Sequence, residues 1–531
     1  MPETFSWSNE QEQIFAWFSK SSTFEPRGGE HLEFENPDTD YIEIDADGHL
    51  VVIARAGTGK TTTILEGAKR APERSIWVAA FGKDIQLVLE GKLKEIGAPP
   101  HIKAKTIHSV GLSCISRYRS GIKISFNSDR ADALTEKVCG ATAPDAIKRL
   151  ITTLHTKGRE MAPHARVLED LTNIAIQFEC EPDEEWANSG FPLEYVEQKA
   201  LEAMELGANI QNGATIDGSD MIFLPVRNHW LTKQFDLIVV DETQDLTVTQ
   251  LEICLGVLKA GGRICLVGDP RQAIYAWRGA DSNSMDRLRE ELHAGVLKLT
   301  TTYRCGKVIV ELAQRFVPDF NAHESNPEGD IQQIHTSALV AAAGPGDFVL
   351  SRVNAPIVGI AMKLLRAGKR TKVQGKDIGK GIVGLIRKLR ARSVPDLLVR
   401  IERWAGRETE RLTGQLEAAT NGRKKMIQSK IEEILDRAQM LAELAEGAKS
   451  IDEMTTRIEG LFVDKDNLGD DGVITCSSVH KAKGLERKRV FILADTLRNW
   501  NIEEQNIEYV AITRAKQTLV WVTDNGEHLG R

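Results

Sequence analysis

Short, uninterrupted apolar runs recur along the chain: HLVVIA (49–54), SIWVAA (75–80), FDLIVV (235–240), RICLVG (263–268), DFVLS (347–351), RVFIL (489–493) and TLVWV (518–522). Runs this apolar and this rich in β-branched residues predict strands covered on both faces, as in a parallel sheet. Helical patterns separate most of them, so the chain predicts α/β layers with ligand sites at the carboxyl ends of strands. Two stretches, about 111–215 and 381–465, break the alternation and predict mainly helical insertions. In the second, Ile427, Ile431, Ile434, Leu435, Ala438, Leu441 and Ala445 fall three or four apart, with Lys430, Glu432, Glu433, Asp436 and Arg437 between them. That spacing predicts an amphipathic helix packed within its own domain. YIEIDADGHLVVIA alternates around Asp47-Gly48 and predicts a hairpin leading into the first sheet.

At 531 residues the chain is long enough for two to four domains. Its 41 % hydrophobic and 27 % charged residues are ordinary for globular protein. Seven cysteines, with no CxxC pair, indicate neither a disulfide framework nor a zinc site and fit a reducing compartment. The start, MPETFSWSNEQEQ, has no basic segment leading into an apolar one, and no eighteen apolar residues run together. A cytoplasmic protein without a membrane partner is expected. The net charge of −8 argues against indiscriminate nucleic-acid binding, but Lys363–Arg392 carries eleven Lys or Arg against one acid, Asp377. That stretch reads either as a solvated helix face or as a phosphate contact.

Candidate chemistry begins at ARAGTGKTTT (54–63), which follows a strand and opens a helix. Ala54 stands where a strict phosphate loop has glycine, while Gly57, Gly59, Lys60 and Thr61 keep the rest. Backbone N–H groups from Ala56 to Thr62, Thr58 included, can close around phosphate oxygens, and Lys60 can reach the terminal phosphates. FDLIVVDETQD delivers Asp241 and Glu242 to the end of a buried strand. Adjacent carboxylates repel without a cation, so Asp241 with Thr61 is suited to hold magnesium, and Glu242 to orient and deprotonate water. ATP and Mg²⁺ are the expected cofactors. A third stretch, GDPRQAIYAWRGA (268–280), sets Asp269 and Gln272, polar groups suited to a phosphate site, beside two rings, Tyr275 and Trp277.

With these motifs placed, the chain resembles a superfamily 1 DNA helicase of the UvrD/Rep type. WSNEQ (7–11) is similar to the family's Q motif, which implies an adenine contact for Gln11. AAFGKDIQ (79–86) and TIHSVG (106–111) resemble motifs on the single-strand path, implying DNA contacts for Phe81, Lys83 and His108. LTTTYRCG (299–306) resembles the family's NYRS motif, with Thr302 and Cys305 as departures. The resemblance implies that Tyr303 stacks on adenine and that Arg304 approaches the γ-phosphate. ITCSSVHKAKGLERKRVFIL (474–493) resembles motif V, with Glu486 at the ribose and His480 and Lys481 near DNA. EYVAITRAK (508–516) resembles motif VI and implies Arg514 as an arginine finger.

The resemblance implies two RecA-like parallel-sheet motor domains of the P-loop NTPase kind, each carrying a helical insertion. The expected boundaries are 1–110 and 216–280 for the first motor domain, with 111–215 inserted. They are 281–380 and 466–531 for the second, with 381–465 inserted. Gln272 would sense the γ-phosphate, while Tyr275 and Trp277 stack on bases, which tolerates every sequence. The implied function is ATP-driven translocation on single-stranded DNA, 3′ to 5′, with separation of duplex at junctions, by a monomer that a protein partner could load. Two alternatives stay open: a translocase that displaces proteins with little unwinding, and a non-enzymatic DNA-binding scaffold.

Overall fold

All seven apolar runs form strands, and most of their residues are buried. The structure, a computed structural model, describes residues 6–21, 23–24, 42–43, 45, 47–121, 123–140, 143–178, 180–182, 187–210, 215–274, 284–418, 421–463, 472–498 and 501–524. The chain divides into two units, Met1–Thr300 and Thr301–Arg531. Each is built on one parallel sheet, so the α/β class with two parallel-sheet domains is found.

The first sheet has six strands: β1 (Leu50–Ala54), β2 (Ile76–Ala80), β3 (Ile102–Thr106), β4 (Phe235–Val240), β5 (Leu258–Gly268) and β6 (Gly295–Leu299). Their spatial order is β6-β1-β5-β4-β2-β3, parallel throughout. Side chains alternate between faces along each strand. Leu50, Val52 and Ala54 thus join one core with Trp17 and Phe18 of helix α1 (Asn9–Phe18) and Ile64 and Leu65 of helix α2 (Lys60–Arg70). Val51 faces the opposite core with Trp77 and Ile238. Helices between Ile107 and Arg227 form a layer with its own core, including Ile147, Ile151, Leu154, Val196 and Met204. Within it, Arg159 holds Asp217 and Asp220 at 3.0 and 2.9 Å, and Arg130 meets Asp220 at 2.5 Å.

The second sheet has seven strands: β7 (Asp330–His335), β8 (Phe348–Ser351), β9 (Thr371–Gln374), β10 (Phe462–Val463), β11 (Ile474–Ser478), β12 (Arg487–Leu493) and β13 (Ala515–Thr523). Their order is β7-β13-β12-β8-β11-β9-β10, again all parallel. Helices α3 (Asn354–Arg366), α4 (Lys376–Leu389), α5 (Val394–Ala418) and α6 (Asn421–Ala445) cover part of this unit. One core runs from Val373, Cys476 and Phe491 of the sheet through Ile382 of α4 to Leu441 and Leu444 of α6. The helical segment between β9 and β11 therefore shares the sheet's core. The Asp436 carboxylate of α6 accepts the Asn354 and Ala355 N–H groups at 3.1 and 2.7 Å, satisfying donors at the start of α3.

Three expectations change. β1 has parallel neighbours on both edges, so no edge is left for an antiparallel hairpin partner. Ile42–Glu43 pairs instead with Thr23–Phe24, and Asp45 bonds the Gly48 N–H at 2.9 Å in a local turn. Leu435, read as part of the apolar stripe of α6, is 52 % exposed, because the helix buries a narrower arc through Ile427, Ile434 and Leu441. Finally, β6 pairs with β1, which carries the first unit to Thr300, past the boundary expected at 280. All seven cysteines are buried as thiols. Among the described residues no helix is long and apolar enough to cross a membrane.

Candidate functional site

The phosphate loop lies at the carboxyl end of β1. Gly57 and Gly59 have φ of 72° and 77°, a left-handed conformation that glycine adopts without the Cβ clash. Thr58 is buried and its hydroxyl donates to the Arg55 carbonyl at 3.0 Å, tying the loop to itself. Ala56 is also buried, and Thr62 is exposed. Helix α2 starts at Gly59 with no side-chain cap, whereas α1 starts with a capping box between Ser8 and Gln11. Uncapped N–H groups at a helix start suit an anion. Gln11 is anchored twice: its carbonyl accepts the Ser8 N–H at 3.1 Å and its amide donates to Thr63 Oγ1 at 3.0 Å. It therefore fixes the Q-motif helix beside α2, a link through Thr63 that motif reading did not anticipate.

Asp241 and Glu242 follow β4 immediately. The Lys60 ammonium lies 2.8 Å from Glu242 Oε1 and 3.7 Å from Asp241 Oδ1. Thr61 Oγ1 donates to Asp241 Oδ2 at 2.9 Å. Burial alone would lower the Lys60 pKa, but Glu242, Asp241 and Asp269 outweigh it and hold the ammonium above its usual range. The Asp241 carboxyl is pushed up, by burial first and then by the Glu242 charge, against the opposing pull of Lys60 and Thr61. The Thr61 hydroxyl and the Asp241 carboxyl are adjacent hard-oxygen donors, and a divalent cation beside them would relieve the repulsion between Asp241 and Glu242.

Behind the carboxylates runs a polar relay. Gln244 donates to Glu242 Oε2 at 2.7 Å and accepts the Asp269 N–H at 3.2 Å. Asp269 is fully buried and receives Gln272 Nε2 at 2.8 Å and Arg55 at 3.0 Å. A Cβ at Gly268 would lie 2.3 Å from the Gln244 carbonyl oxygen, so glycine is what lets the relay close. Gln272 is thus placed at the site. Arg55 and Gln244 were missed as site residues although they stand inside the quoted motifs, whereas Asp269, read with Gln272 as suited to a phosphate site, lies in the relay. Tyr275 and Trp277, the stacking candidates, lie outside the described residues.

In the second unit Tyr303 is 42 % exposed, its ring 4.7 Å from that of His323. Arg304 pairs with Glu486, which also meets Lys516 at 2.6 Å. Burial would raise the Glu486 pKa, but Arg304 and Lys516 pull it below the usual range. Arg514 is buried, and its guanidinium donates to the Val510 and Leu485 carbonyls at 2.9 and 3.2 Å and to the Thr513 hydroxyl at 3.1 Å. Burial first, then Arg304, lower its pKa to about 10. Arg304, Arg514 and Glu486 therefore form one cluster, to which Lys516 is an unanticipated addition. Thr302 and Cys305, the departures from the motif, are held by Asn326, which donates to both their carbonyls.

The remaining candidates also follow strand ends. Phe81, partly buried, and Lys83, exposed and 3.3 Å from Gln86 Oε1, follow β2. His108 follows β3, where burial lowers its pKa and favours the neutral ring. His480 and Lys481 follow β11, and the Lys481 ammonium meets Asp377 at 2.6 Å. Ligand sites of open α/β sheets lie at this carboxyl edge.

Residues 38–293 match the UvrD/REP helicase N-terminal domain family, and residues 396–525 match the UvrD-like helicase C-terminal domain family. The chain is 25 % identical to F-box DNA helicase 1 of Gallus gallus, over 91 % of this chain and 48 % of that protein. It is 22 % identical to the ATP-dependent DNA helicase Rep of Buchnera aphidicola, over 52 % of this chain and 43 % of the relative. It is also 22 % identical to the ATP-dependent DNA helicase PcrA of Staphylococcus aureus, over 61 % and 45 % respectively. The chain thus spans about half the length of the curated relatives it matches.

Proposed function

We propose a function for a chain that belongs to the UvrD/Rep-type superfamily 1 helicases: it is an ATP-dependent DNA helicase that moves on single-stranded DNA, 3′ to 5′, and separates duplex at junctions. The observation that carries this reading is the cluster of Lys60, Thr61, Asp241 and Glu242 at the mouth of the phosphate loop. In this cluster Lys60 and Glu242 neutralise each other. Nucleotide phosphates compete for the ammonium, and transfer of Lys60 to them frees the Glu242 carboxylate to accept a proton from attacking water. Magnesium, held by Thr61 and Asp241, neutralises phosphate charge when bound. The relay from Glu242 through Gln244 and Asp269 to Gln272 couples the water-activating carboxylate to the turn that precedes Tyr275 and Trp277. Motion there is how the γ-phosphate state reaches the base-stacking residues.

On the second unit Tyr303 serves adenine, Glu486 the ribose, and Arg304 and Arg514 the transferring phosphoryl group. The Glu486 carboxylate supports this by holding Arg304 and Lys516 beside it. Phe81, Lys83, His108, His480 and Lys481 line the DNA path. A monomer belongs to the same proposal, as does a reducing, cytoplasmic compartment, which the seven buried thiols support.

The test is ATP turnover with and without single-stranded DNA and RNA, followed by unwinding of tailed duplexes. DNA-stimulated turnover that is lost in Lys60→Ala and Glu242→Gln is expected; wild-type turnover in either variant ends the proposal. A second reading, a translocase that displaces proteins with little unwinding, is favoured by the helices between β9 and β11: most of their core is the sheet's own, and the separate cluster of Ala405, Leu412, Ile427 and Ile434 is small. Protein displacement without strand separation would select it.

A further inference from the structure

The motif around Tyr303 is held by a loop about twenty residues further along the chain. The short strand Thr301–Thr302 pairs in parallel with Asn321–Ala322. The Thr302 carbonyl accepts the His323 backbone N–H at 3.0 Å and the Asn326 amide at 2.8 Å, and the same amide donates to the Cys305 carbonyl at 2.9 Å. A Cβ at Gly306 would lie 2.8 Å from the Gly329 Cα, so the two segments touch backbone to backbone just beyond the motif. The main chain on both sides of Tyr303 is therefore fixed. What remains to its ring is rotation about its own side-chain bonds.

His323 acts on that remaining freedom. Its ring lies 4.7 Å from the Tyr303 ring, centroid to centroid, with the planes tilted by 35°. At this separation aromatic pairs attract beyond the area they bury. Tyr303 is nonetheless 42 % exposed, so His323 backs the phenol ring without covering it. The imidazole is itself held, because its Nδ1 accepts the Ser325 N–H at 3.2 Å and lies 2.7 Å from Ser325 Oγ. A ring pinned to its own loop is a firm support. Nothing in the sequence marks it, since His323 lies outside every quoted motif.

A flat ligand binds best to a ring that already points the right way, because any freedom the ring loses on binding is subtracted from affinity. We propose that His323 is a positioning residue for nucleotide binding: it holds the Tyr303 ring ready to stack on a purine base. This rests on the reading of Tyr303 as the adenine platform and adds its support from behind. The role requires an aromatic ring at 323, whereas the loop requires there only an acceptor for the N–H two residues on. Asn supplies such an acceptor in the same local turn, so substitution separates the two requirements.

Steady-state hydrolysis of ATP and of CTP by the full chain, at saturating single-stranded DNA, tests it. His323→Asn keeps the acceptor and removes the ring. Its KM for ATP should rise about threefold to tenfold, the equivalent of one aromatic pair, with kcat nearly unchanged. KM for CTP should rise less, because a pyrimidine offers a smaller face to stack. His323→Phe keeps a ring and removes the acceptor; its KM for ATP should stay within about twofold of wild type. The proposal is overturned if His323→Phe is impaired as much as His323→Asn or more, since the loop bond and not the ring would then matter. Tyr303→Ala separates this role from the reading beneath it. A raised KM for ATP in Tyr303→Ala beside a wild-type KM in His323→Asn overturns the positioning role alone. An unchanged KM in Tyr303→Ala refutes the adenine platform and the positioning role with it.

Discussion

Glu242 sits at φ 52°, a conformation that costs a non-glycine residue of order 1 kcal/mol and that recurs where function over-determines the backbone. Both of its oxygens are occupied, Oε1 by Lys60 and Oε2 by Gln244. Losing the second contact should leave the charge but free its direction. Gln244→Ala is therefore expected to lower kcat about tenfold with KM for ATP nearly unchanged, since orientation acts on the chemical step; a raised KM at constant kcat would assign Gln244 to binding instead. Lys60, Asp241 and Glu242 were legible because each stands at a fixed offset within a motif. Gln244 was not, because its contact with Asp269 joins segments that are adjacent only once β4 and β5 pair. Arg514 shows the same limit: the motif named it, but not its burial among carbonyls.

At the scale of elements, three of the strands missed in the sequence have a common cause. β3 and β6 are the edges of the first sheet, and β7 is an edge of the second. Edge strands keep solvent-facing positions, so IKAKT, GVLKL and DIQQIH never present the apolar run that marked the central strands. β11 was hidden differently: ITCSS is wholly buried, but its serines are satisfied within the fold, Ser477 donating to Gln374 at 2.9 Å. Capping by tertiary contact was also invisible. Asp436→Ala should cost about 1 to 2 kcal/mol by orphaning two N–H groups of α3, and Asp436→Asn clearly less, as read by urea unfolding.

The helical layer of the first unit carries a pH dependence of its own. His155 is fully buried, and burial, followed by Arg159, lowers its pKa to about 3. Its Nε2 lies 3.2 Å from the Ala131 carbonyl, an acceptor, which assigns the ring proton to that nitrogen. The unfolded chain takes up a second proton near pH 6.5, and the native ring does not. The stability it contributes is thus complete above about pH 6.5 and declines as pH falls towards 3. Relative to His155→Gln, the unaltered protein should lose about 1.4 kcal/mol more per pH unit across that window; parallel urea-unfolding profiles for the two would show that the ring titrates normally.

For the whole molecule, separate cores predict separate melting behaviour. The phosphate loop and its carboxylates belong to the first unit, whose sheet cores share no residue with the core of the second. A non-hydrolysable ATP analogue with magnesium, at about 100 times its Kd, should stabilise the unit that binds it by about 2.7 kcal/mol. Calorimetry should show this shift in wild type and its loss in Lys60→Ala. An equal shift in the variant would place the nucleotide elsewhere.

The seven buried cysteines bear on how the proposed translocation can be watched. Burial raises the Cys254 and Cys476 thiols to about 12 and Cys305 to about 11, so almost no thiolate exists at neutral pH. Maleimide dyes and disulfide reagents will find little to attack in the native chain, and slow thiol release will report unfolding. A single cysteine introduced on an exposed position then carries a fluorophore without prior removal of the native seven. The proposed stepping along a DNA strand then becomes testable, one molecule at a time, in a protein otherwise left intact.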